Sequence, residues 1–165
     1  METILFYWFA FVIVATSILV ITLRNPMSSA FFLILSLVHL AGMFALLQAH
    51  FLAIAQVLVY AGAVMVLFIF VIMLLNINVS RWGVLDKAPG QTFALLVGCT
   101  SLLSLGFVFF KTTEMPDSFS LPEGFGTIEA VSRLMFMKYL VPFEIISILL
   151  LVATIGAVLL AKRVI

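Results

Sequence analysis

Charge is scarce in this sequence. Only 9% of its 165 residues are Asp, Glu, Lys or Arg, while 65% are hydrophobic; soluble domains carry about 25% charged residues. With a mean hydropathy of +1.37, a globular core could not be covered by a wettable surface, so the chain reads as an integral membrane protein. No stretch has the length and polarity of a separate water-soluble domain. Cysteine is almost missing as well. Cys99 stands alone in an apolar run, which excludes a disulfide within the chain and a thiolate metal site, and leaves a small packing residue. The formal net charge of +1 gives no nucleic-acid footprint. His39 and His50 have no acid or thiol clustered beside them, so no metal site is expected. Nucleophile–base pairs, phosphate-binding glycine loops and dinucleotide fingerprints are absent too. On its own the chain is a poor candidate for a complete enzyme.

What the sequence does have is long apolar runs. A helix needs about 20 residues to cross the hydrocarbon core of a bilayer. Five stretches qualify, at about 3–23, 28–47, 52–75, 92–110 and 139–161. They are continuously apolar, whereas membrane strands alternate, so the expected fold is one all-α membrane domain of five spans. The amino-terminal run is too long for a signal-peptide core, and Glu2 stands where a signal needs a cation; it is expected to remain as a span. "RNP" at residues 24–26 ends the first span, and "QAHF" makes a tight turn into the third. The loop 111–138 holds Pro116, Pro122, Gly124 and Gly126, and is irregular in its first half. Its second half spaces Ile128, Val131, Leu134 and Met135 as a short amphipathic helix at the membrane surface. No internal repeat is evident, which argues against a repeat-built transporter. With five spans, Arg24, Arg81, Lys87, Lys162 and Arg163 share one side, and Lys111, Arg133 and Lys138 share the other. The excess of Lys and Arg places the amino terminus outside and the carboxyl terminus inside.

Ionisable groups within spans are costly and face protein or water. Glu144 lies one turn into the last span, after Pro142. It either snorkels or sits in the favourable field of the helix start, or it is a buried carboxyl facing a neighbouring helix or a water chain. His39, near the centre of the second span, is expected to be a neutral hydrogen-bonded packing residue. The alternative is a proton relay. Ser101 and Ser104, and the sets Ala41, Ala45, Ala49 and Ala153, Ala157, Ala161, permit close helix approach.

The third span, "VLVYAGAVMVLFIF" at residues 57–70, places Tyr60 about 12 Å into the helix at 1.5 Å per residue. Four residues earlier stands Gln56, and the α spacing puts both on one polar stripe against a neighbouring helix. Gly62 exposes backbone beside them. One reading is close packing alone. The other is a local i→i+5 bulge, which the small residues after Tyr60 permit and which gathers at functional sites.

"AQVLVYAGAVMVLFIFVIMLLN", residues 55–76, resembles the signature of the family of subunit J of proton-pumping NADH:quinone oxidoreductase, respiratory complex I. The mitochondrial counterpart of that subunit is chain 6. "NPMSSAFFLILSL", residues 25–37, and "YLVPFEIISILLLVATIGAVLLAKR", residues 139–163, agree with it. The resemblance implies a non-catalytic subunit of the membrane arm that holds no cofactor itself. The whole complex would use FMN, iron–sulfur clusters, NADH and a quinone. It implies packing against subunits A, K and H and the antiporter-like subunit N. A bacterial plasma membrane is expected rather than a mitochondrial one. The resemblance also implies that the third helix changes between α and π winding around Tyr60, Gly62 and Ala63, opening or breaking a water path for protons. On that expectation Val64, Met65 and Phe68 are candidate gates, and Gln56 and Glu144 are supporting polar groups. His39 matches no motif of the family. The rival expectations are a homologous subunit of a multisubunit cation/proton antiporter, a purely structural assembly subunit, and a small self-contained transporter.

Overall fold

A computed structural model describes residues 1–75, 97–101, 103–104, 106–108 and 124–162. Their regular elements are all helical. Helix α1 spans Glu2–Thr22 and α2 spans Pro26–Leu46. The third span runs from His50 to Leu75 in three parts. These are α3, His50–Ala55, then a π-helical segment, Gln56–Val64, then α4, Met65–Leu75. Helix α5 is Ile128–Met137 and α6 is Leu140–Ala161. Four helices among the described residues are long and apolar enough to cross a membrane: α1, α2, the composite third span and α6. A shorter apolar helix, Val97–Val108, lies between the third span and α5. The polar loop expected at 76–91, the ends of the expected span at 92–110 and the Pro-containing half of the loop at 111–123 lie outside the described residues.

Local chemistry sets the helix ends. Asn25 caps α2, its side chain accepting from the Met27 amide at 2.9 Å, with Pro26 in the first position. Proline is suited there because its missing N–H would have no partner within the helix. Glu2 lies in the first turn of α1, where negative charge is favoured. Pro142 falls in the first turn of α6 for the reason that holds at Pro26. Thr127 caps α5, accepting from the Ala130 amide at 3.4 Å and donating to the Gly124 carbonyl at 2.8 Å.

The centre of the molecule is built from small side chains. Helices α1 and α2 pack as an antiparallel pair, and the third span lies along α2. The buried residues are Thr16, Ala30, Ser36, Ala41, Gln56, Ala61, Met65 and Ile72. Thr16 returns its hydroxyl proton to the Val12 carbonyl at 2.7 Å, Ser17 and Ser36 meet across the pair at 3.4 Å, and Ser29 donates to the Val20 carbonyl at 3.0 Å. At Gly42 a Cβ would come within 2.7 Å of the Phe9 ring. Most large apolar side chains point outward. That arrangement suits lipid, where helices gain little from hiding leucine and associate by close backbone approach.

Helix α5 is one-sided, and it touches both α3 and α6. Helix α6 has no buried residue. Its described contact with the rest is through α5, where the Phe136 and Phe143 rings meet edge to face at 5.2 Å.

Candidate functional site

Of the third span's 26 residues, the π segment holds nine, starting six residues from the end nearest α5. Its bonding is seen at its end, where the Met65 amide donates to the Tyr60 carbonyl, five residues back. A helix wound this way carries one residue more than α winding would fit, and such segments occur often at functional sites.

The extra residue is visible in the burial pattern. The face turned to α2 runs Gln56, Ala61, Met65, then Ile72, with half-buried Ile69 between the last two. Its first step is five residues. The later steps, from 61 to 65, 69 and 72, are the fours and threes of an α-helix. Gln56, Ala61 and Met65 are each 7% exposed, while Tyr60 is 55% exposed. Tyr60 therefore does not share a stripe with Gln56, as α spacing predicts. The five-residue step puts Ala61 beneath α2 and turns the phenol outward. The Tyr60 hydroxyl makes no hydrogen bond among the described residues. The candidate gates divide in the same way. Met65 is against α2, whereas Val64 and Phe68 are exposed on the adjoining stripe.

Gly62 and Ala63 are both exposed. A Cβ on Gly62 would meet the Val57 carbonyl oxygen at 3.1 Å. That contact is tight, and its partner is backbone of the same helix, five residues away. Beside the segment, Ala41, Gly42 and Ala45 of α2 and Ala53, Val57 and Leu58 of the third span line an apolar groove of about 470 Å³.

The remaining polar groups lie elsewhere. Glu144 is exposed on α6 and forms no ion pair among the described residues. His39 uses Nδ1 on the Leu35 carbonyl at 2.7 Å and sets its ring against Phe9. A carbonyl only accepts, so that nitrogen carries a proton. Its partner is its own helix rather than a neighbouring one. Sequence reasoning missed Ala61, because an alanine among apolar residues carries no sign of which face it occupies. The only cue was the small-residue run "AGA", residues 61–63.

Known proteins resemble the chain along almost its whole length. Residues 16–160 match the family described as NADH-ubiquinone/plastoquinone oxidoreductase chain 6. That range runs from α1 to α6, so the likeness is not confined to the π segment. The chain is 35% identical over 164 residues to a NADH-quinone oxidoreductase subunit J of Rhodobacter capsulatus, covering 96% of this chain and 80% of the relative. It is 35% identical over 165 residues to a NAD(P)H-quinone oxidoreductase chain 6 of Synechocystis, covering 98% and 81%. A chloroplastic NAD(P)H-quinone oxidoreductase subunit 6 of Anthoceros angustus is 34% identical over 152 residues, covering 87% and 76%.

Proposed function

The chain belongs to the NADH-ubiquinone/plastoquinone oxidoreductase chain 6 family, and from that premise we propose that it couples quinone reduction to proton translocation by a change of winding in its third span. The observation that carries this reading is the single five-residue step in the buried stripe, from Gln56 to Ala61. Suppose α3 keeps its place and the π segment rewinds as α. Each residue beyond it then advances by one position, about 100° at 3.6 residues per turn. Tyr60, Val64, Phe68 and Val71 take the places of Ala61, Met65, Ile69 and Ile72 against α2. A phenol replaces a methyl group at the first of these places. The groove beside Ala53 and Val57 gives the segment room to move.

Such a change controls water. A file of water molecules needs polar partners and space, and a bulky apolar side chain removes both. In the π winding the Tyr60 hydroxyl and the backbone at Gly62 face away from α2, toward a partner subunit or its water. In the α winding the phenol turns in, and Val64 and Phe68 change sides with it. Two windings that differ by a few kcal/mol can be biased by contacts from outside the chain.

This is a coupling role without a catalytic centre. An iron–sulfur cluster takes four cysteine ligands, and the chain has one cysteine, so its donors do not fit the clusters of the complex. Those clusters, FMN and the NADH and quinone sites belong to other subunits on this reading. Neighbouring chains would be subunits A, K and H and the antiporter-like subunit N, in a bacterial plasma membrane. One contact supports the reading of five spans. Helix α4 leaves the membrane on the side opposite the α2–α3 turn, yet Gly126 lies against that turn. A single crossing between Leu75 and Gly124 would bring the chain back to that side. Val97–Val108 is the apolar helix available for one.

The test is Gly62→Leu in the assembled enzyme. A leucine there fills the small-residue break beside Tyr60 that a change of winding needs, so protons moved per NADH oxidised are expected to fall. Normal turnover with a normal proton ratio would rule the switch out.

A further inference from the structure

Among the described residues, the third span is held at one end by backbone hydrogen bonds and along the rest by side-chain packing. Helix α3 begins just after Gln48, a non-glycine residue in the left-handed region at φ 61°. The turn there is tied to α2 by the Gln48 amide on the Ala45 carbonyl at 3.1 Å and the Ala49 amide on the Phe44 carbonyl at 2.9 Å. From the other side the segment before α5 closes on the same turn. The Phe51 amide donates to the Gly126 carbonyl at 2.9 Å. Phe51 is the second residue of α3, so its N–H has no partner within its own helix. A residue far along the chain satisfies it.

Gly126 is at φ 73°, a conformation that favours glycine. A Cβ there would run into the Gln48 carbonyl oxygen and come within 2.8 Å of the Ala49 Cα. The contact is thus backbone on backbone, with neither partner free to yield. At the far end the described hold on α4 is different in kind. It is side-chain packing of Met65 and Ile72 on α2. Packing of that sort allows a second arrangement one residue on. A hydrogen-bonded helix start has only one.

We propose that Gly126 is a positioning residue that anchors the α3 end of the third span, so that α4 is the half that turns when the π segment changes its winding. This deepens the proposed coupling role and rests on it. The sense of motion follows. The α3 end stays fixed to α2 and α5, and the displacement is delivered at the Leu75 end, on the opposite side of the membrane. Partner subunits that read the switch do so along α4, through Phe68 and Val71.

Structures of the assembled enzyme at rest and during turnover test this, superposed on α1 and α2. The expected result is an unchanged α3 with the Phe51–Gly126 bond kept in both states, and α4 turned by one residue position. If α3 turns while α4 keeps its register, the anchor is wrong although the switch survives. If one winding is found throughout, the switch falls and the anchor with it. Gly126→Ala gives a second measure. The assembled variant is expected to move fewer protons per NADH oxidised than the wild type, and an unchanged ratio would overturn the proposal. If that variant fails to assemble, the paired structures of the wild type decide alone.

Discussion

Gly42 shows how little slack single residues have in this molecule. Its Cα hydrogens face the Phe9 ring, and a Cβ would lie 2.7 Å from two ring atoms. Overpacking of this kind costs about 1–3 kcal/mol, so Gly42→Val is expected to reduce the amount of assembled complex recovered from membranes. Adding Phe9→Ala in the same chain empties the space and should restore part of that yield, as native gel electrophoresis would show. No recovery would mean that Gly42 serves something other than the α1–α2 contact. Tyr60 tests the opposite property, since its ring is exposed and its hydroxyl unpaired within the described chain. Tyr60→Phe removes only the oxygen. Assembly is expected to be normal and the proton ratio lower, measured in sealed vesicles. An unaltered ratio would leave the ring as packing and the hydroxyl without a role. At this scale the sequence was readable where a residue has local chemistry. Asn25 and Pro26 were read as the end of the first span, and they also start α2, two residues before the expected 28, since a capping side chain and a proline at the first position suit a helix start. Gly126 was not readable as an anchor, because its partners, Gln48 and Phe51, are adjacent only after folding.

The helices divide by how much phase their sequences carry. Helix α5 is one-sided, and its apolar spacing at Ile128, Val131, Leu134 and Met135 locates it without a structure. The third span is nearly apolar all round, and its α4 part wholly so. Its length marks it as a span, but a uniform surface gives no sign of which residues face inward, so the Gln56–Tyr60 pairing rested on assuming α winding. The π segment overturned that pairing by one residue, and no pattern of apolar and polar positions could have reported it. Element-scale behaviour gives one further prediction. The Thr127 cap on α5 is worth about 1 kcal/mol, and α5 joins both α3 and α6. Thr127→Ala is therefore expected to speed hydrogen exchange in α5 and at the Phe51 amide together. Faster exchange in α5 with none at Phe51 would show that the two are not joined as the Gly126 contact implies.

Among the described residues, α1 and α2 form a pair with the third span laid along it, and α6 is joined to them through α5. The chain's arrangement across the bilayer is open to a direct test. With Cys99 replaced by alanine, single cysteines at Gln48 and Phe125 are expected to react with an impermeant thiol reagent from the same face of the membrane. Labelling from opposite faces would remove the five-span arrangement. Because the close contacts fall on alanine, glycine, serine and threonine while leucine and phenylalanine look outward, evolution should treat this chain in reverse. In a water-soluble protein the bulky interior is what resists change. Here Leu149 or Leu150 can drift among Ile, Val and Phe at little cost, whereas an outwardly mild Ala30→Val or Ala41→Val has nowhere to go. A saturation mutagenesis map would then show its intolerant positions as a thread of the smallest residues, with the greasiest ones left free to vary.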